Sequence, residues 1–246
     1  MKVIHVLSIG NSFSEDAQAY LHDLAASQDV KIESVNLYIG GCSLEQHFRN
    51  MISEKRNYTL DIDGHRAHGF FVSIKEALTA RAWDVVTLQQ ASPSSWKEET
   101  YYPYVNRLAE YVRELCPKAK ILLHQTWGYE TGSPRIEALG LHTYDEMFEH
   151  VKACYEKAAK SINADGIIPS GVAFQYALQH GLESVHRDTF HAKLGVGRFI
   201  LALVWYGYLT GNDVRAVKYD SFSEAVSGEE HRIAIEAASH ALMNQR

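Results

Sequence analysis

The sequence has little cysteine, no excess of positive charge and no apolar run long enough to cross a membrane. Its three cysteines, Cys42, Cys116 and Cys154, stand far apart and form no CxxC pair. That excludes a disulfide framework and suits reduced thiols used as small core residues. Lys and Arg number 24 against 30 Asp and Glu, a formal charge of -6 with no basic stripe, so no nucleic-acid partner is expected. The longest apolar run, "FILALVWYGYL" (199–209), has about half the length a bilayer requires, so no membrane partner is expected either. The start of the chain, one lysine and then "VIHVLSIG", is too short and strand-like for a secretory signal. A soluble, cytoplasmic protein is the expectation, although a chain trimmed of its signal would read the same. Repeats, linkers and low-complexity tracts are also missing. With 46% hydrophobic residues, 1–246 is expected to form one domain around a substantial core.

What is present is alternation. Apolar runs at 2–10, 31–39, 84–90 and 119–126, with a weaker fifth at 164–169, are separated by helical patterns. The helices are predicted near 14–28, 43–55, 73–82, 101–116, 142–162, 171–180, 192–210 and 228–244. This order predicts an α/β fold with a central parallel sheet of about five strands. One segment breaks it. "YTLDIDGHRAHGFF" (58–71) holds two short runs around Asp63-Gly64, a turn signal for a small inserted β-hairpin. Open parallel sheets bind ligands beyond the carboxyl ends of their strands, so the residues after each run are the functional candidates.

After the first run come Gly10, Asn11 and Ser12. A serine at such a turn either caps the next helix or presents a nucleophilic hydroxyl beside the unpaired amides of the helix start. After the second run, Gly40-Gly41-Cys42-Ser43 offers either an amide donor for an oxyanion or a tight loop capped by Ser43. After the third, the side-chain amide of Gln89 or Gln90 can donate into a site, or both can simply begin a loop. After the fourth, His124 to Trp127 form a substrate-facing rim or edge packing. Late in the chain, "HRDTFHAKLGVGRF" places Asp188 and His191 three apart. An aspartate so placed can orient an imidazole, and the imidazole can activate a serine. The plainer reading makes Asp188 a helix cap and His191 a first-turn residue. His186 is a spare candidate.

In type and order these blocks resemble the SGNH (GDSL-type) hydrolases. The Gly-Asp-Ser block of that family corresponds to Gly10-Asn11-Ser12, its second-strand glycine to Gly41, and its Asp-x-x-His block to Asp188-Thr189-Phe190-His191. The stretch "RDTFHAKLGVGRFILALVWYGYLTG", with "GNSFS", "LQQAS" and "QTW", also resembles an SGNH subfamily catalogued only as a domain of unknown function. The resemblance implies a three-layer, flavodoxin-like sandwich. It implies Ser12, His191 and Asp188 as catalytic residues and the N–H groups of Ser12 and Gly41 as oxyanion donors. The family's third block, Gly-x-Asn, is replaced here by "LQQAS". Gln89 or Gln90 is therefore expected to take the asparagine's part, and strand alternation allows only one of them to do so.

The expected function is a serine esterase for small acyl esters, above all acetyl, with carbohydrates as a candidate substrate class. Asn11, Trp96 and Trp127 are expected to contact substrate, and Tyr101, Tyr102 and Tyr129 also suit a sugar ring. The chemistry needs neither cofactor nor metal, and the expected partner is a small-molecule or oligosaccharide ester. Two other readings stand beside it. His124, His186, Asp188 and His191 are the candidate ligands of a metal-dependent hydrolase, and the altered third block admits a non-catalytic carbohydrate-binding protein.

Overall fold

A computed structural model describes residues 3–243. The first half runs β1 (Val3–Gly10), α1 (Ser12–Gln18), α2 (Leu21–Ala26), β2 (Lys31–Tyr38), α3 (Leu44–Ile52), β3 (Tyr58–Ile62), β4 (His65–Val72), α4 (Ile74–Thr79), β5 (Val85–Leu88) and α5 (Tyr104–Leu115). The second runs β6 (Lys120–His124), α6 (Pro134–Glu137), α7 (Tyr144–Ile162), β7 (Gly166–Ile168), α8 (Ser170–Gln179), α9 (Val196–Thr210) and α10 (Gly228–Met243).

The seven strands among the described residues lie in one sheet, in the order β4-β3-β2-β1-β5-β6-β7. The five strands foreseen as parallel are parallel, and β1 is central, paired with β2 on one side and β5 on the other. The hairpin is not a detached ribbon. Its first strand pairs antiparallel with β2 and extends the sheet from five strands to seven. Two residues of positive φ, Asp63 and Gly64, make its turn between the paired Ile62 and His65. Helices α2, α8, α9 and α10 cover one face, and α3, α4, α5 and α7 the other.

The sequence pattern accounts for these layers. In α5 the buried residues are Val105, Leu108, Ala109 and Val112, the i, i+3, i+4, i+7 stripe of a helix with one face on the core. In α9 every residue from Val196 to Gly207 except Arg198 is buried. The long apolar run is thus a core helix, and no helix among the described residues is long and apolar enough to cross a membrane. All three cysteines are free and buried.

Two helices differ from expectation. The helix foreseen over 14–28 is two short ones, α1 and α2. The helix foreseen from 192 begins only at Val196, because the chain before it is held as a loop by Asp16 of α1. Asp16 is wholly buried and accepts from Arg187, from Arg198 and from the Ala192 backbone N–H, at 2.8–3.0 Å. The loop carrying Asp188 and His191 is thereby tied to the helix that begins with Ser12.

A neutral amide at position 16 leaves both arginines facing a partner without charge. Asp16→Asn should lower stability by about 3 kcal/mol, and thus Tm by roughly 6–12 °C for a chain of this size. Thermal unfolding followed by circular dichroism measures this. An unchanged Tm would mean that solvent replaces the carboxylate at no cost.

Candidate active site

The strand order reverses at β1, and the crevice at such a reversal is where open α/β sheets place ligands. At the carboxyl end of β1 the chain turns directly into α1. Gly10 is required there by close approach, since a Cβ on it would lie 2.1 Å from Ser14 Oγ. The N-cap of α1 is Asn11, whose Oδ1 accepts from the Phe13 N–H, so Ser12 is not the cap. Ser12 is the first helical residue, and its N–H belongs to the unpaired amides of the helix start.

Across the crevice, His191 Nε2 lies 2.9 Å from Ser12 Oγ, and His191 Nδ1 lies 2.7 Å from Asp188 Oδ2. A carboxylate only accepts, so Nδ1 carries the proton and Nε2 turns its lone pair toward the Ser12 hydroxyl. Burial opposes the charge on Asp188. Hydrogen bonds from the His191 ring and backbone outweigh it and hold the carboxyl below its ordinary value. Asp188 and His191 lie before α9, so neither caps it nor belongs to its first turn. Asp188 instead closes a turn on its own backbone, accepting from His191 N at 2.8 Å. Thr189 between them is held at φ 73°, in the left-handed region. That conformation costs a β-branched residue about 1–3 kcal/mol, and the Glu130 N–H donates to the Thr189 carbonyl. A serine, a correctly oriented neutral imidazole and an ionised carboxylate in line can deliver an alkoxide-like nucleophile to a carbonyl.

Gly41 lies on the second wall of the same cavity, with φ +64°, and Ser43 caps α3 as its plainer reading foresaw. The cavity holds about 410 Å³ and opens between Ser12, Gly41, Ser92, Tyr129 and Phe190. A larger hollow of about 800 Å³ lies at the other end of the sheet, beside the strand starts at Asp84, Lys120 and Asp165, away from Ser12.

The glutamines require a correction, because both side-chain amides are committed elsewhere. Gln89 Nε2 donates to Asn11 Oδ1 at 2.6 Å, and Gln89 Oε1 accepts from Ser14 and from His124 Nδ1. Gln90 Nε2 donates to Thr100, and its Oε1 accepts from the Leu44 and Ala91 N–H groups. Neither glutamine lines the cavity. Gln89 instead holds Asn11, whose own amide donates to the Cys42 carbonyl and so locks the Ser12 turn to the Gly41 loop. Asn11 lines the cavity, but its amide is used in this positioning and not on a ligand.

Ser92, two residues beyond Gln90, reaches the cavity. Its hydroxyl pairs with Tyr129 at 3.0 Å. The Arg135 guanidinium lies beside Tyr129, its carbon 5.7 Å from the ring centroid. Either hydroxyl can donate in the Ser92–Tyr129 pair, and when Tyr129 donates the Ser92 hydrogen is left for the cavity. The signal for Ser92 was present in "LQQAS", two positions past the residues singled out.

The tryptophans need a second correction. Trp127 is fully buried, stacked on Phe13 with centroids 4.1 Å apart, and donates to the Phe190 carbonyl. It supports the site from behind. Trp96 packs on His150 and donates to Pro93, and Tyr101 is buried with its hydroxyl on Ser95. Neither lines the cavity, and nor does Tyr102; of the expected aromatic residues Tyr129 does.

The four candidate metal ligands are not brought together. His124 is wholly buried, bonded to Gln89 and Ser170, and burial lowers its pKa to about 3. His186 turns to the Gly128 carbonyl, and burial lowers its pKa to about 4. Among the described residues no three His, Cys, Asp or Glu side chains form a metal-holding group.

Residues 5–241 match the family described as Domain of unknown function (DUF4886). The crystal structure of a DUF4886 family protein from Bacteroides uniformis is similar to this one with a TM-score of 0.91 at 31% identity, over 98% of this chain and 95% of that one. A candidate SGNH hydrolase from Slackia heliotrinireducens gives 0.61 at 22% identity, over 83% and 98%. A family 3 carbohydrate esterase from Clostridium thermocellum gives 0.51 at 14%, over 87% and 98%. No curated protein matches the chain. The last two likenesses establish the fold alone, and the first two findings establish descent: the chain belongs to the DUF4886 family and is built on the SGNH-hydrolase fold.

Proposed function

We propose that the protein is a serine ester hydrolase for small acyl esters, with Ser12 as nucleophile, His191 as general base and acid, and Asp188 as the group that holds His191. The observation that carries the reading is the hydrogen-bonded line from Ser12 Oγ through His191 to Asp188, at 2.9 and 2.7 Å.

In the first half-reaction Ser12 Oγ bonds to the ester carbonyl carbon while its proton passes to His191 Nε2. The carbonyl π electrons move to oxygen. Collapse of that intermediate breaks the bond to the alcohol, which leaves with the proton from His191. Water then attacks the acyl-serine by the same route, and Ser12 regains its proton as the carboxylic acid departs. The Ser12 N–H, the Gly41 N–H and the Ser92 hydroxyl are the proposed oxyanion donors, each worth roughly 3 kcal/mol. A cavity of about 410 Å³ has room for a small acyl ester together with part of its alcohol. Acetylated carbohydrates are the proposed substrate class. Tyr38, Tyr129 and Phe190 line the cavity and offer the ring faces that Trp96 and Trp127 do not.

The deciding experiment compares 4-nitrophenyl acetate with the octanoate, using wild type and Ser12→Ala. Wild type should favour acetate in kcat/KM. The variant should lose about 10³-fold or more in kcat with its fold intact, because Asn11 keeps the helix cap. Undiminished turnover in the variant removes Ser12 as nucleophile. A reversed acyl ranking removes the small-acyl reading and leaves the nucleophile standing.

A protonated His191 has no lone pair for the Ser12 proton, so kcat/KM should rise with pH from weak acid to neutrality. Asp188, held below its ordinary value, is ionised throughout that range. The acid limb should therefore have the slope of one proton. A two-proton slope would show Asp188 titrating with the imidazole.

Ser92→Ala should lower kcat by roughly 10²-fold, the cost of one oxyanion donor, with KM little changed. An unaltered kcat would leave the oxyanion to the two backbone amides.

A further inference from the structure

The cavity mouth carries one cation with which no carboxylate among the described residues pairs. Three charged side chains line it besides the catalytic group: Glu15, Arg187 and Arg135. Glu15 is paired with Arg66 at 3.0 Å, and Arg187 shares the buried Asp16 with Arg198, each at 2.8 Å. Arg135 is exposed, and no carboxylate among the described residues pairs with it. It is nevertheless held in place. Its guanidinium carbon lies 3.8 Å from the centroid of the Phe190 ring and 5.7 Å from that of Tyr129. Cation–π contact orients it without pairing its charge.

The position of Phe190 says which half of an ester this cation meets. The Phe190 and His191 rings are in contact, with centroids 3.8 Å apart. The guanidinium is therefore no farther from the imidazole than those two contacts laid end to end. His191 delivers its proton to the departing alcohol oxygen, so the alcohol half of the ester occupies this side. The acyl carbonyl is turned toward Gly41 and Ser92. The chain as a whole carries a charge of -6, which disfavours anions in general. A lone oriented guanidinium at the mouth reverses that sign locally.

We infer that Arg135 is a specificity-determining residue that binds a carboxylate on the alcohol half of the substrate, so that the natural ester is an acylated hydroxy acid or acidic sugar. A carboxylate is favoured over a phosphate monoester because a single guanidinium matches its one charge and its planar pair of oxygens. The inference rests on the ester-hydrolase reading and narrows its substrate.

The test uses 3-acetoxybenzoate, its methyl ester and 3-acetoxyphenyl phosphate, which share an acetyl group and a phenolic leaving oxygen. Wild type should favour the carboxylate over the methyl ester in kcat/KM, after correction for their rates in alkali. Arg135→Gln should shrink that ratio about tenfold, the worth of one charge-assisted pair, and Arg135→Lys should restore part of it. The ratio is internal to each variant, so a general loss of activity or folding does not imitate the effect. A wild-type ratio of one, or a ratio unmoved in Arg135→Gln, overturns the inference while ester hydrolysis stands. A preference for the phosphate over the carboxylate overturns the assigned anion. Failure of wild type to cleave any of the three overturns the ester-hydrolase reading itself, and this inference with it.

Discussion

A carboxylate cannot stay ionised in a protein interior unless cations and donors come to it, and Asp16 is such a carboxylate. It lies on α1, one turn beyond Ser12, with no solvent exposure. Two arginines and a backbone amide from the segment 187–198 converge on it. That convergence fixes where His191 can be. The interaction sets the distance between hydroxyl and imidazole, because Asp16 and Ser12 ride on the same helix while Arg187 and Ala192 flank His191 on the same loop.

Beneath that tie lies a second, uncharged one. Ser14, Gln89, His124 and Ser170 form a continuous hydrogen-bonded run under the nucleophile turn. Its direction is forced. The Gln89 oxygen only accepts, so His124 donates from Nδ1, and Nε2 accepts from Ser170. The run ends on Asn11, which faces both the Ser12 turn and the Gly41 loop. The hairpin joins the same system from outside, through Arg66 on Glu15 and through Asp61 on Asn36, which donates to the Asn11 carbonyl. An insertion at the sheet edge is thereby connected to the centre of the site.

The sheet and the chemical line Ser12, His191, Asp188 were legible in the sequence for a physical reason. Central parallel strands bury both faces and read as solid apolar runs, and Ser12 follows the first of them directly; Asp188 and His191 follow no run and were legible through the resemblance of their Asp-x-x-His block. The parts that were not legible depend on where side chains point once a strand has ended. Gln89 and Gln90 look like donors in sequence, but Asn11 and Thr100 take their amides before any ligand does. Trp127 has the composition of a sugar platform and the burial of a core residue. The short helix α6 that presents Arg135 has four residues, too few for a period to show.

Ser12 and His191 stand 179 positions apart, and the arginines of the Asp16 tie are as distant. The order of synthesis therefore separates the proposed nucleophile from its proposed base. At about 5–20 residues per second, an emerging chain displays its Ser12 turn for roughly ten seconds or more before residues 187–198 exist. Throughout that interval the hydroxyl is an ordinary alcohol, because nothing is present to take its proton. Reactivity arrives only when the last third of the chain closes onto the first helix. On the proposed function, the long sequence separation makes catalytic competence the final product of folding.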